Sequence, residues 1–244
     1  MIGRLLQLQR AGGRGVLLTV TAGDDTGTKL LVVEGGETVG NGPPELAAHA
    51  EDLIRGAANR TLELEGRTVF AEVYGPPPRL FVYGAVDTAE TLAASAKLLG
   101  WSTVVADARA KFATRERMPS AEELIVAWPE EAFAQVGVDH ATAVVILGHD
   151  DKFDLPALEL ALSSEAFYVG VIGGRRNQER KRERLREAGV GEDAIERIAG
   201  PAGLDLGAES PPEVALSILA EALAARNGRS GGPLRDRRER VHAG

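Results

Sequence analysis

The sequence contains no cysteine. That excludes disulfides, thiolate metal sites, iron–sulfur clusters and cysteine nucleophiles. No apolar run reaches the roughly 18 residues of a membrane span. The first residues lack the apolar core of a signal peptide, so a cytoplasmic location is expected. Positive charge is also in deficit: the formal net charge is -8, which argues against a general nucleic-acid binder. What remains is an ordinary apolar share, enough for a full core, spread over 244 residues. That length allows one large or two small domains.

The most organised stretch runs from Arg79 to Asp107. A short apolar run, Leu80 to Tyr83, leads into the turn Gly84-Ala85-Val86-Asp87-Thr88-Ala89. A helical pattern follows, with Leu92, Ala96 and Leu99 at spacings of three and four, and Gly100 closes it. A second apolar run, Thr103 to Ala106, ends on Asp107. This pattern predicts strand, helix and parallel strand, the opening of a doubly wound nucleotide-binding fold. Asp107 follows Gly84 at close to the roughly 20 residues expected before a ribose-holding carboxylate. One letter departs from the fingerprint. Where glycine would let a pyrophosphate approach the backbone, the turn carries Val86, and Asp87 adds a negative charge beside it. Asp87 also has a plain structural reading, as the N-cap of the helix.

Before this stretch, residues 1–75 read as a small α+β domain. A helix is expected over 1–11, strands over 16–21, 29–33, 37–39, 61–64 and 68–73, and a helix from Pro43-Pro44 to about Arg55. Gly75-Pro76-Pro77-Pro78 is a stiff linker. Residues 79–228 read as a Rossmann-like domain. Strands are expected over 122–127, 143–147 and 166–172, with an extended stretch near Gly203 to Leu206. Helices are expected over 129–136, 156–163, 178–188 and 194–198, then from Pro211 until Asn227-Gly228 stops the last one. Residues 229–244 form a glycine-rich basic tail, expected to be disordered without a partner. The fold class expected is α/β: a doubly wound parallel sheet with helices on both faces, preceded by the α+β domain.

Ligands bind such sheets beyond the carboxyl ends of the strands, which singles out three loops. Gly84 to Ala89 is the first. The second, Gly148 to Asp154, holds His149 and three aspartates. His149 and Asp150 are the candidate catalytic residues, with His149 suited to proton transfer near neutral pH. A divalent ion on the same residues is the weaker reading, because HDD has no recognised metal spacing. The structural alternative makes Asp150 and Asp151 a turn and Asp154 the cap of a helix starting near Pro156. The third loop, Gly173-Gly174-Arg175-Arg176-Asn177, pairs glycines and arginines at a strand-to-helix junction, where an anion is favoured. Otherwise it is the solvated start of a charged helix. Arg109 is placed to accept a ribose phosphate, whereas Asp107 favours a free hydroxyl.

Several segments, in order, resemble one family: FVYGAVDTA, VVADARAKFAT, VVILGHDDKFDLPAL, FYVGVIGGRR and GPAGLDLGAESPPEVALSILAEALA. They are similar to the C-terminal Rossmann domain of the XdhC/CoxI accessory proteins of xanthine dehydrogenase and carbon monoxide dehydrogenase. The likeness runs from residue 79 to about 240 and includes the tail GRSGGPLRDRRERVH. It implies a role in maturing molybdenum hydroxylases: binding molybdenum cofactor, assisting its terminal sulfuration and handing it to the apo-enzyme. The Rossmann half would hold a nucleotide, NAD(P) or the dinucleotide part of a molybdopterin cofactor, through Gly84, Ala85, Val86, Asp87, Asp107, Arg109, Gly148, Gly173, Gly174, Arg175 and Arg176. The family's N-terminal Ser-Gly-Gly-Cys-Val-Glu motif is absent. Val39-Gly40-Asn41-Gly42-Pro43-Pro44-Glu45 stands in the corresponding region without cysteine. Besides a cofactor-carrying accessory protein, two functions fit the residues. One is an NAD(P)-dependent oxidoreductase with His149 as proton donor, favoured by Asp107 and opposed by Val86. The other is a nucleotide sensor without chemistry. A homodimer is expected, because a small N-terminal domain buries little surface alone.

Overall fold

In the computed structural model, which describes residues 1–236, the branched runs near the N-terminus pair into an antiparallel meander. Its strands are β1 (Gly15–Ala22), β2 (Lys29–Val33), β3 (Thr38–Gly40), β4 (Arg60–Leu64) and β5 (Arg67–Tyr74). They lie in the order β3-β2-β1-β5-β4. Alternation assigns each side chain to a face. Val16, Leu18, Val20, Leu30 and Val32 face α2 (Ala50–Gly56), which contributes Leu53 and Ile54. Leu17, Leu31 and Val33 face Leu8 of α1 (Ile2–Arg10). The helix expected from Pro43 opens instead as a 3-10 turn, Pro44–His49. Its first turn closes by a three-residue bond, Leu46 N–H to the Pro43 carbonyl (3.2 Å).

The chain divides into two compact units, the first Met1–Pro76 and the second Pro77–Gly231; residues 232–236 group with the first. The second unit holds β6 (Arg79–Tyr83), α3 (Asp87–Leu98), β7 (Ser102–Ala106), β8 (Glu123–Ile125), α4 (Pro129–Val136) and β9 (Thr142–Ile146). Then come α5 (Asp151–Ser163), β10 (Tyr168–Val171), α6 (Arg175–Glu187), α7 (Glu192–Glu196), β11 (Ile198–Ala199) and α8 (Pro211–Arg226). The sheet order is β11-β10-β9-β6-β7-β8, and every pairing is parallel. This is the doubly wound order, with β6 as first strand and the switch point between β6 and β9. Leu80, Val82, Val105 and Val145 pack against α3 and α8. Phe81, Tyr83, Val104 and Ile146 pack against α4 to α7. Both faces are covered, so central strands read as unbroken apolar runs; all five residues of β9 are buried. Each fully buried branched or aromatic side chain contributes about 1.5–3 kcal/mol.

Several boundaries differ from expectation. Helix α5 starts at Asp151, not near Pro156, and its cap is Asp150, not Asp154. The Asp150 carboxylate accepts the Lys152 amide (3.0 Å), which begins the helix a turn earlier and leaves Pro156 inside it. Asp87 is not a cap either: Val86 is the N-cap of α3 and Asp87 is its first residue. Arg175 to Asn177 belong to α6, with Gly174 as its cap. The stretch near Gly203 is not extended. Gly203 has φ 115°, and its amide donates to Glu221 of α8 (2.8 Å), so a helix takes the backbone group a strand would have used. The last strand forms earlier, at Ile198–Ala199. Within the tail, Leu234–Asp236 makes a 3-10 turn, and residues 237–244 lie outside the described residues.

Candidate functional site

The carboxyl ends of β6, β7 and β9 open on one crevice at the switch point. Gly84, Asp107, Arg109, Gly148, His149 and Asp150 all line it, with Tyr83, Phe153 and Asp154. Its interior is narrow, with about 10 Å³ of room inside, so anything larger than a water molecule would lie across its open mouth. Six residues singled out in the sequence thus meet in one place.

Gly84 turns the chain out of β6 with φ 112°. A Cβ there would meet the Gly148 nitrogen at 3.1 Å, so both its conformation and its closeness to the β9 loop require glycine. Its amide donates to the Ala106 carbonyl (2.8 Å). Ala85 is buried in the core. Val86 is half-buried and packs on the same core cluster as α3. Asp87 points outward, and its carboxylate accepts from Arg117 (3.0 Å).

Asp107 is committed to the protein. Its Oδ1 accepts the Arg109 amide and Nε, both at 2.9 Å. Its Oδ2 accepts the Ala85 amide (3.0 Å) and Arg109 Nη2 (2.9 Å). Burial pushes the carboxyl upward, but the bonds from Arg109 and the Ala85 amide outweigh it and hold Asp107 below the ordinary range. The residue expected to hold a ribose therefore clamps the glycine turn to the end of β7. Asp107→Asn keeps the shape and loses the charge. We expect it to cost about 2 kcal/mol at pH 7, read by urea unfolding. The carboxyl is depressed in the folded state, so its contribution is present above the unfolded value and fades as pH falls through the folded one. The gap between variant and parent should narrow in acid; a constant gap would contradict the charged clamp.

His149 is exposed and has no hydrogen-bond or ion-pair partner among the described residues. A proton-transferring histidine is normally oriented by a second group, and none holds it here. Asp150 is exposed and spends one oxygen capping α5. Among the described residues, no group of three or more His, Asp or Glu is arranged to hold a metal ion.

Gly173, Gly174, Arg175 and Arg176 do not reach the crevice. Gly174, Arg175 and Arg176 line a separate open groove at the start of α6, where both arginines are exposed. Gly173 turns the chain at φ 120°.

The structure adds residues the sequence reading passed over. Phe153 stands 5.1 Å from Trp128, ring centre to ring centre. Lys152 Nζ lies 4.8 Å over Trp128. The Arg109 guanidinium sits 4.4 Å over Phe112 and 5.7 Å over Phe153. Aromatic faces and cations thus alternate along this rim. Beneath it, Asp154 of α5 accepts from Lys181 Nζ of α6 at 2.6 Å, each side chain only 1% exposed. Burial raises the Asp154 carboxyl above its usual range, against the pull of Lys181.

An all-parallel sheet in this order, with a glycine turn after its first strand and a crevice at the switch point, defines a Rossmann-class domain. The chain belongs to the XdhC family: the XdhC Rossmann domain model matches residues 80–222. Three curated relatives are similar to it. The Escherichia coli protein YqeB is 34% identical over 167 residues, 68% of this chain and 30% of its own length. A Bacillus subtilis protein named as a probable xanthine dehydrogenase subunit is 29% identical over 199 residues, 81% of this chain and 57% of its own. The molybdenum cofactor insertion chaperone PaoD of Escherichia coli is 29% identical over 153 residues, 63% and 42%. The chain thus spans between 30% and 57% of the length of these relatives. A crystal structure from Bacillus halodurans described as a xanthine dehydrogenase shares the fold. Its TM-score is 0.67 at 22% identity, covering 93% of this chain and 64% of that one. No helix among the described residues is long and apolar enough to cross a membrane.

Proposed function

We propose that this chain serves the maturation of a molybdenum hydroxylase, with its crevice holding the nucleotide portion of the molybdenum cofactor for an apo-enzyme partner. The observation that carries this reading is the convergence of the β6 and β9 loops on one switch-point crevice whose histidine has no hydrogen-bond or ion-pair partner among the described residues. Such a site binds better than it catalyses. The names of two relatives, a cofactor insertion chaperone and a xanthine dehydrogenase subunit, support the same role. The residues suit such a ligand: a rim of Arg109, Lys152, Phe112 and Trp128 fits a flat, anionic molecule. Gly84 and Gly148 keep the walls free of side chains. The cofactor would supply the molybdenum chemistry; the chain would bind and orient its nucleotide. These residues offer no thiol, so sulfur transfer through a cysteine is not their task. Arg175 and Arg176, in their own groove, are available for an anionic group.

Native mass spectrometry of the purified protein, followed by calorimetric titration with CDP, ADP, NAD and NADP, tests the reading. We expect a co-purified pterin dinucleotide, or binding of a nucleoside diphosphate in preference to NAD(P). Near-stoichiometric NAD(P) in the purified protein would overturn it in favour of an oxidoreductase.

A further inference from the structure

Of the aromatic side chains among the described residues, only Trp128 is exposed, at 44%. The other tryptophan, Trp101, is 3% exposed and packs edge-on against Phe167 at 5.9 Å. Trp128 is exposed yet held. It is the N-cap of α4: Pro129 follows it, and its carbonyl accepts the Ala132 amide (2.9 Å). That fixes the backbone from which the indole projects. Its ring leans on Phe153 at 52°, and Phe153 both packs on the core and lines the crevice. A large flat ring is thus kept in place beside the crevice and in contact with water. The crevice interior admits about one water, so a larger ligand makes its contacts on this rim.

What lies over the indole is a cation with no stronger partner. Lys152 Nζ stands 4.8 Å from the Trp128 ring centre and 5.6 Å from that of Phe153. It makes no ion pair among the described residues. The carboxylates before it in the chain are spent: Asp150 caps α5 through Oδ1, and Asp151 holds Arg180 and Arg184. An ammonium over an exposed ring gains about two- to fivefold in an equilibrium. A nucleobase stacked on an aromatic side chain gains about five- to a hundredfold. A base arriving on Trp128 therefore displaces the ammonium at a net gain. The ammonium, on its flexible stem, is then free for the ligand's phosphates.

Resting on the nucleotide reading above, we propose that Trp128 is the platform on which the ligand's base stacks, and that Lys152 moves from this ring to the phosphates as the base arrives. A ring reads the face of a base, which every nucleobase has, so binding requires a base and tolerates its identity. A sugar phosphate without a base finds Lys152 and gains nothing from the platform.

The first test changes the ligand and leaves the protein untouched. Calorimetry on the full chain compares AMP, CMP and ribose 5-phosphate, which keeps the phosphate and has no base. AMP and CMP should bind within about tenfold of each other, and ribose 5-phosphate at least about tenfold more weakly. The second test changes the platform. Trp128→Ala, at an exposed position, should weaken ADP at least about tenfold, Trp128→Phe by less than about threefold, and neither should alter ribose 5-phosphate. In Trp101→Phe, where Trp128 is the only tryptophan left, ADP should quench the emission. Lys152→Gln should lower the salt sensitivity of ADP binding. Unchanged ADP binding in a folded Trp128→Ala would overturn the platform and leave the nucleotide reading intact. Equal binding of AMP and ribose 5-phosphate to the parent would do the same. No binding of any nucleotide would overturn both.

Discussion

Lys181→Met is expected to destabilise the second unit by about 3–5 kcal/mol at neutral pH, the cost of leaving a buried carboxylate without its partner. Methionine matches the lysine stem in bulk, so packing changes little and the charge carries the effect. The loss is a large part of the 5–15 kcal/mol that holds an ordinary domain folded. Its pH dependence has a definite sign. Burial already raises the Asp154 carboxyl in the folded protein, and removing the ammonium raises it further. A carboxyl raised in the folded state binds its proton more tightly there than when unfolded. Stability therefore rises as pH falls from the folded value towards the unfolded one. The deficit of Lys181→Met should shrink in mild acid, where most proteins lose stability. Adding Asp154→Leu should recover most of it at pH 7, since replacing a whole buried pair by apolar residues is often neutral or better. Urea unfolding at pH 7 and pH 5 reads all three. A Lys181→Met protein as stable as the parent at both would mean that the pair is not buried as described.

Gly148→Ala is expected to cost about 3 kcal/mol or more, at the upper end of overpacking substitutions. The reason is local. The added methyl falls onto Oδ1 of Asp154, and that carboxylate cannot withdraw without breaking its 2.6 Å bond to Lys181. Gly174→Ala is the control. Nothing lies within 4 Å of a Cβ there, and losing a glycine cap costs less than about 1 kcal/mol. Thermal or denaturant midpoints separate the two. Equal midpoints would show that the Gly148 loop has room to move aside, and the contact would lose its meaning as a constraint.

The parallel sheet was legible because its central strands are covered on both faces and read as unbroken apolar runs; Leu80–Tyr83 and Ala143–Leu147 needed nothing more. The gathering of Gly84, Asp107 and Gly148 followed from their place after strands. What escaped had no local signal, or a misleading one. Pro156 suggested the start of a helix, whereas Asp150 begins it with a side-chain bond to the Lys152 amide. Asp107 matched the spacing of a ribose acid. That it is consumed by Arg109, two residues on, is a matter of side-chain direction that spacing does not carry. Lys181 lay inside a run of charges and read as solvated. Its spacing with Gln178 and Leu185, three and four residues apart and all buried, was the available clue.

The strand order also governs when this site comes into being on the ribosome. One neighbour of β6 is β7, the next strand in the chain; the other is β9, which is made only after β8 and α4. The half-sheet of β6, β7 and β8 is able to close early, because its contacts are near in sequence. During that interval Leu80–Tyr83 has one bare edge, a template for stray strand pairing. The crevice appears only when β9 docks and α5 follows it, so the same event caps the vulnerable edge and creates the crevice.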